Sequence, residues 1–176
     1  MIILYCSRKL LNVSRIKPVL YISEESEGQF LHHWNARLFS SGFAGKLFVM
    51  YVHEPSLMTI ICPGKTISST WETFVERLFL TLNRHHFKEE FIRNELKFTK
   101  EYIVSKTNSK SILSYMNQMV FELEYQCSRA YGYKDIDLNF FEEGLMSRIH
   151  SVKGSGNYDY SYPIKYWKEH GVIVGD

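Results

Sequence analysis

The 176-residue chain is 45% hydrophobic and 15% aromatic, and its 21 basic and 19 acidic side chains leave a formal charge of only +2. Twelve Phe, twelve Tyr and three Trp against ten Gly and four Pro exclude a disordered tail, because that much apolar surface offsets chain entropy. The nearly cancelled charge excludes a general field for nucleic acid or an anionic membrane and leaves room only for a local basic patch.

Residues 1–6 read as a first strand, and Arg8 to Val13 as a short helix that Ser7 can cap. The apolar start is too short for a signal-peptide core, and Arg8 and Lys9 follow it instead of preceding it. No apolar stretch approaches the roughly 20 residues that span a bilayer. A cytoplasmic location without a membrane partner is therefore expected. Pro18 ends the first unit, and Ser23 to Gly28 is an acidic, small, polar loop. From Phe30 the pattern alternates: Leu31, His33, Asn35 and Arg37 share one strand face, while His32, Trp34, Ala36 and Leu38 share the other, the expected core side. Residues 46–53 and 57–62 continue as a meander of β-branched and aromatic strands, joined at Glu54-Pro55-Ser56 and stopped at Pro63-Gly64.

Beyond Gly64 the period lengthens. Trp71, Phe74, Val75, Leu78, Phe79 and Leu82 follow helical spacing, which predicts a helix over 69–86 capped by Ser68 or Ser69, with Glu72 as capping-box partner. A shorter helical pattern runs from Phe87 to Leu96, and Phe98, Tyr102 and Val104 suggest a further strand. Ile112, Leu113, Met116, Met119, Val120, Leu123 and Cys127 form one stripe, predicting a helix over 109–131 with Asn108 as N-cap and Gly132 as its end. Asp135 to Ile149 is a weaker helical segment. The tail 151–176 reads as irregular but packed through Tyr162, Tyr166 and Trp167.

Most apparent sites have an ordinary explanation. His85 with Glu89, and His86 with Glu90, have metal-ligand spacing, but a helix break at Phe87-Lys88 removes the shared face. His32 and His33, adjacent on a strand, point to opposite faces and do not chelate together. Cys6, Cys62 and Cys127 are odd in number and widely spaced, so they read as small buried hydrophobes and not as a disulfide framework or zinc knuckle. No Gly-x-Ser-x-Gly elbow, phosphate loop or dinucleotide fingerprint is present, and Gly154-Ser155-Gly156 is a flexible turn. The pairs Glu24/Glu25 and Glu142/Glu143 are of the kind that surfaces carry. No catalytic residue, metal or cofactor is assigned.

One segment invites a ligand. Lys97 to Lys110 interleaves basic and aromatic residues before a helix start, and the candidate binding residues there are Lys106, Thr107, Asn108, Lys110 and Ser111, with Asn117 at the edge of the apolar stripe. A solvated strand and an N-cap explain the same residues. Arg8, Lys9, Arg15 and Lys17 would extend the patch if the fold brings the two segments together.

Cys6-Ser7-Arg8-Lys9-Leu10-Leu11, Trp34-Asn35-Ala36-Arg37-Leu38, Thr107 to Leu113 leading into Met116-Asn117-Gln118-Met119, and Tyr162-Pro163-Ile164 together resemble an uncharacterised family of small bacterial proteins. That family is a domain of unknown function, similar to stand-alone products of plasmids and integron cassettes. The resemblance carries no catalytic assignment. Its members tend to have Gly-Ser at Ser114-Tyr115 and Gly at His86, which implies a helix end at His86.

The expected architecture is a single α+β domain over residues 1–176, with an antiparallel sheet of about four or five strands packed against the helices 69–86 and 109–131. The expected function is a non-enzymatic binding or protein-interaction module of a bacterial mobile element, acting through exposed aromatics or self-association as a homodimer. The alternative is a nucleic-acid- or phosphate-directed protein, enzymatic or not, using the basic helix start from Lys106 to Asn117. The two readings differ in whether nucleic acid or a protein is retained.

Overall fold

Strand β1 (Ile2–Cys6) is the hub of the architecture. In the computed structural model, which describes residues 1–20, 30–107, 109–152 and 159–174, it runs parallel to β2 (His33–Ser40) on one side and to β5 (Tyr102–Lys106) on the other. Strands β3 (Leu47–His53) and β4 (Thr59–Pro63) continue from β2 as an antiparallel meander, so the sheet order is β4-β3-β2-β1-β5. The fold is α+β with one five-stranded sheet, but that sheet is mixed and not antiparallel as expected. The reason lies in the connections. β1 reaches β2, and β4 reaches β5, through long segments containing helices, and only such crossovers allow neighbouring strands to run the same way.

Helix α1 (Arg8–Ser14) leaves β1 directly; Ser7 occupies its N-cap position, but the hydroxyl makes no capping bond. Helix α2 (Ile67–Arg84) is capped by Thr66, not by Ser68 or Ser69. The Thr66 hydroxyl accepts the Ser69 N–H at 3.1 Å and the Ser69 hydroxyl accepts the Thr66 N–H at 3.2 Å, so Ser69 takes the capping-box position expected of Glu72. Helix α3 (Glu89–Leu96) follows after a break at which His86 has φ +56°, in the left-handed region that favours glycine. Helix α4 (Lys110–Cys127) is capped by Ser109, whose hydroxyl accepts the Ile112 N–H; it ends before Gly132. The expected cap Asn108 lies outside the described residues, as do residues 23–28 and 154–156. Helix α5 (Leu138–Met146) is capped by Asp137.

Both sheet faces are covered. Side chains such as Leu4, Cys6, Trp34, Leu38, Tyr51 and Ile60 meet Leu10 of α1 and Phe74, Leu78 and Leu82 of α2 in the first core. On the second face Phe39, Phe48, Met50, Val52 and Ile61 meet the α4 stripe and Leu145 of α5. Cys6, Cys62 and Cys127 are buried, and burial pushes their thiols up, Cys6 to about 12 and Cys127 to about 11.

The tail is more ordered than its composition suggests. A two-stranded ladder joins β6 (His150–Val152) to β7 (Asp159–Ser161), and α6 (Pro163–Glu169) starts with proline at a position where no N–H is needed. α6 places Trp167, fully buried, among Phe30, Phe87 and Phe91. The chain beyond it is tied to the α2–α3 break by Lys88 N–H to Val172 O at 2.9 Å and Val174 N–H to His86 O at 2.8 Å. Of the aromatic residues between α4 and α5, Tyr133 stacks on Phe48 with centroids 5.7 Å apart, whereas Tyr131 is fully exposed.

A candidate anion-binding crevice

β1 and β5 end together. Cys6 is in register with Lys106, and the Thr107 N–H extends the ladder to Cys6 O at 3.2 Å. From this common end the chain departs in opposite senses. β1 continues into α1, whose Leu10 and Leu11 pack on the first face, and β5 continues into α4, whose stripe packs on the second. Adjacent parallel strands whose helices diverge to opposite faces leave a crevice at their carboxyl ends, the usual place for a ligand in an open sheet.

The two basic segments converge there. Arg8 and Lys9 open α1, Lys106 closes β5 and Lys110 opens α4, and all four side chains are exposed. Residues 7–20 and 102–121 contain no Asp or Glu, so no acid within either segment neutralises them. Arg15 does not join the group, because it caps the far end of α1. Lys17 returns along the outer edge of β5, where the Val19 N–H bonds Val104 O at 2.9 Å and the Ser105 hydroxyl bonds Val19 O at 3.1 Å. Ser111 is exposed in the first turn of α4, its hydroxyl 3.2 Å from that of Ser109.

The floor beside this rim is polar and organised. The Thr107 hydroxyl donates to Asn35 Oδ1 at 3.1 Å, and Asn35 Nδ2 donates to Glu54 Oε2 at 3.0 Å. Asn35 is only 1% exposed although the alternation placed it on the face opposite the core. The discrepancy arises because the sheet is covered on both faces. Arg37, one strand period further along β2, donates through Nη1 to Asn117 Oδ1 of α4. Asn117 itself is exposed, whereas its place at the stripe edge predicted partial burial. Asn35, Arg37 and Glu54 were not singled out from the sequence. The available signal was the presence of an amide and a guanidinium inside a strand whose same-face successor, Phe39, is apolar and buried.

Elsewhere, three sets of buried polar groups are engaged as follows. The Ser–His pair formed by Ser56 and His53 has Nδ1 to Oγ at 2.7 Å, but the Ser56 hydroxyl also accepts the Met58 N–H, and His53 Nε2 bonds Phe30 O at 2.7 Å. A carbonyl only accepts, so Nε2 carries the proton and Nδ1 accepts from Ser56. Both residues are buried, and the pair closes the connection between β3 and β4. Glu142 is fully buried, receives the Ile61 N–H at 2.7 Å, and is paired with Arg77 at 2.7 Å. Burial pushes its carboxyl up against the pull of Arg77. Glu95 similarly receives the Phe30 and Leu31 N–H groups.

The histidine pairs separate as follows. α2 ends at Arg84 and α3 starts at Glu89, so His85 and Glu89 share no helix; His85 instead lies 3.2 Å from Glu143. His32 and His33 do not point apart as expected, because β2 begins only at His33 and their rings are 4.8 Å apart. No group of three or more His, Cys, Asp or Glu that could hold a metal occurs among the described residues. A 450 Å³ surface cavity lined by Arg77 and residues 134–139 lies away from the crevice, and Arg77 there is already bonded to Glu142 and Asn139. Among the described residues, no helix is long and apolar enough to cross a membrane.

Fold and site together define a mixed-sheet α+β protein with four exposed basic residues where β1 and β5 end. The chain belongs to the family described as domain of unknown function DUF6933, whose model matches residues 3–166 and so spans every segment on which the resemblance was drawn. A search of curated proteins finds no match to the chain.

Proposed function

We propose that the chain is a non-enzymatic binding module that holds a nucleic-acid strand by its phosphates in the crevice between β1 and β5. The observation that carries this reading is the convergence of Arg8 and Lys9 with Lys106 and Lys110 at one strand end, with no acid in either segment. A local cationic cluster on a chain of charge +2 concentrates at one place what the whole sequence lacks. Against catalysis, the buried Ser56, His53 and Glu142 are spent on backbone and turn bonds. A bacterial mobile element as its setting belongs to the same proposal and rests on the resemblance.

The test is retention of a labelled single-stranded oligonucleotide, followed by anisotropy as salt is raised. Each neutralised phosphate contributes about −0.7 to the slope of log K against log salt, so four cations give a slope of about −3. Replacing Lys106 and Lys110 together by Ala lowers the slope to roughly half that value. Absence of binding at low salt, or binding indifferent to these substitutions, refutes the reading.

A second reading, protein association, is favoured by one separate feature. Phe121 and Tyr125, one turn apart on α4, are 75% and 63% exposed. Light scattering that shows a dimer abolished by Phe121→Ser, with no nucleic acid retained, would move the function to that surface.

A further inference from the structure

Resting on the protein-association reading above, we infer that the occupant of the α4 surface is a second copy of this chain, docked by inserting Phe121 into that copy's groove between α4 and α5. The surface carries a recess as well as a ridge. Phe121 and Tyr125, one turn apart on the solvent side of α4, form the ridge. Beside them Leu123 and Gln126 of α4 face Phe140, Gly144 and Leu145 of α5 across a groove of about 260 Å³. Gly144 opens this recess: the space where its first side-chain carbon would stand has no neighbour within 4 Å, outside its own stretch of chain, among the described residues. Phe140, one turn earlier on α5, is 68% exposed at the rim. The groove is smaller than the roughly 300–1,000 Å³ of small-molecule pockets and fits a single side chain better than a ligand.

Ridge and recess lie side by side on one face, as a two-fold contact requires, since the ridge of each copy then meets the recess of the other. Charge points the same way. Under a two-fold axis the centre of the face meets its own image, so a lone charge there would repel itself. The charged side chains lining the groove are Glu122 and Arg148, and they neutralise each other: Arg148 donates through Nη1 and Nη2 to the two carboxylate oxygens of Glu122. The groove is thus electrically self-contained and offers nothing to a partner recognised by its charge. The area is also in proportion. At roughly 150–250 Å² per ring, the exposed parts of Phe121, Tyr125 and Phe140 amount to roughly 300–500 Å², about half of the roughly 800 Å² that each partner contributes to a stable interface.

Sedimentation equilibrium of the full chain over a concentration series tests this with two variants taken from opposite sides of the contact. Phe121→Ser removes the ridge. Gly144→Gln fills the recess, and because glycine is a poor helix former the variant holds α5 at least as well as the wild type. Losing one buried aromatic anchor weakens association about 30-fold. A two-fold dimer loses it twice, so each variant alone is expected to dimerise about a thousandfold more weakly than the wild type. Mixing the two variants restores one good contact, Phe121 of the Gly144→Gln chain in the open groove of the Phe121→Ser chain. The mixed pair is therefore expected to associate about 30-fold more tightly than either variant with itself, a rescue that misfolding would not produce. Absence of that rescue, with both variants folded by circular dichroism, overturns the two-fold docking. A wild type that stays monomeric at about 100 μM overturns the inference and leaves the surface to a partner of different sequence. A dimer indifferent to both substitutions overturns the inference and the protein-association reading of this surface together.

Discussion

Burial of His53 makes the stability of this protein depend on pH in a way that can be worked out from its surroundings. The imidazole has no exposed surface, packs against Trp34 and Trp167 with ring centroids 5.2 Å away in each case, and is tied at both nitrogens to Phe30 O and Ser56 Oγ. Burial pushes its pKa down from 6.5 to about 3. The group is therefore neutral in the folded chain and ordinary in the unfolded one. Above pH 6.5 neither state binds the proton and His53 has no effect. As pH falls below that value only the unfolded state takes up the proton, so stability falls by about 1.4 kcal/mol per pH unit until the folded-state value is reached. At about pH 5 the loss is about 2 kcal/mol, a sizeable share of the roughly 5–15 kcal/mol typical of a domain.

Urea unfolding at about pH 7.5 and about pH 5, in the wild type and in His53→Gln, isolates this effect. The glutamine amide can still donate to Phe30 O but does not titrate. Its loss of the Ser56 partner costs about 1 kcal/mol at both pH values and cancels in the difference. We expect the loss on acidification to be smaller by about 2 kcal/mol in the variant. His32 and His85, also lowered by burial, remain in both proteins and drop out of the comparison. An identical loss in the two proteins would show that His53 takes up its proton without unfolding and would refute the argument.

Two further perturbations test the packing. Glu142→Ala leaves Arg77 unpaired and strips the Ile61 N–H on the edge strand β4 of its partner; breaking a buried pair from one side costs about 3–5 kcal/mol, measurable as a lowered urea midpoint, and Arg77→Met in the same chain should recover part of it. His86→Gly relieves a side chain held at φ +56° and should stabilise by up to about 1 kcal/mol in thermal unfolding, the difference between the left-handed strain removed and the added freedom of the unfolded chain.

Local patterns in the chain were sufficient for its two long helices, α2 and α4, and for the break between α2 and α3. The stripe from Ile112 to Cys127 and the stripe from Phe74 to Leu82 are periodic over several turns, and burial follows the period except at Phe79, which is exposed. The break at Phe87-Lys88 was legible for the same reason, and with it the failure of the His/Glu spacing. Capping was less legible. Thr66, Ser68 and Ser69 are equivalent as sequence, and which one caps depends on where the preceding turn at Pro63-Gly64 aims the chain. Trp167 shows the same limit from the apolar side, since the short helix that carries it is stabilised by docking onto Phe87 and Phe91 and not by its own propensity.

The candidate site divides along the same line. The chain alone offers Lys106, Thr107, Lys110 and Ser111 as candidates at one strand-to-helix junction and Arg8 and Lys9 at another. That the two junctions lie side by side is visible only in the folded chain. Strand partners are chosen by pairing between segments far apart in the chain, and the parallel alignment of β1 with β5 brings Lys106 to Cys6, while α1 and α4 leave to opposite faces. The same two-faced covering buries Asn35, which an alternating pattern assigns to solvent, and so makes its amide a fixed link between Glu54 and Thr107. Periodicity reports which side of a strand is apolar; what lies over the other side is set by the rest of the chain.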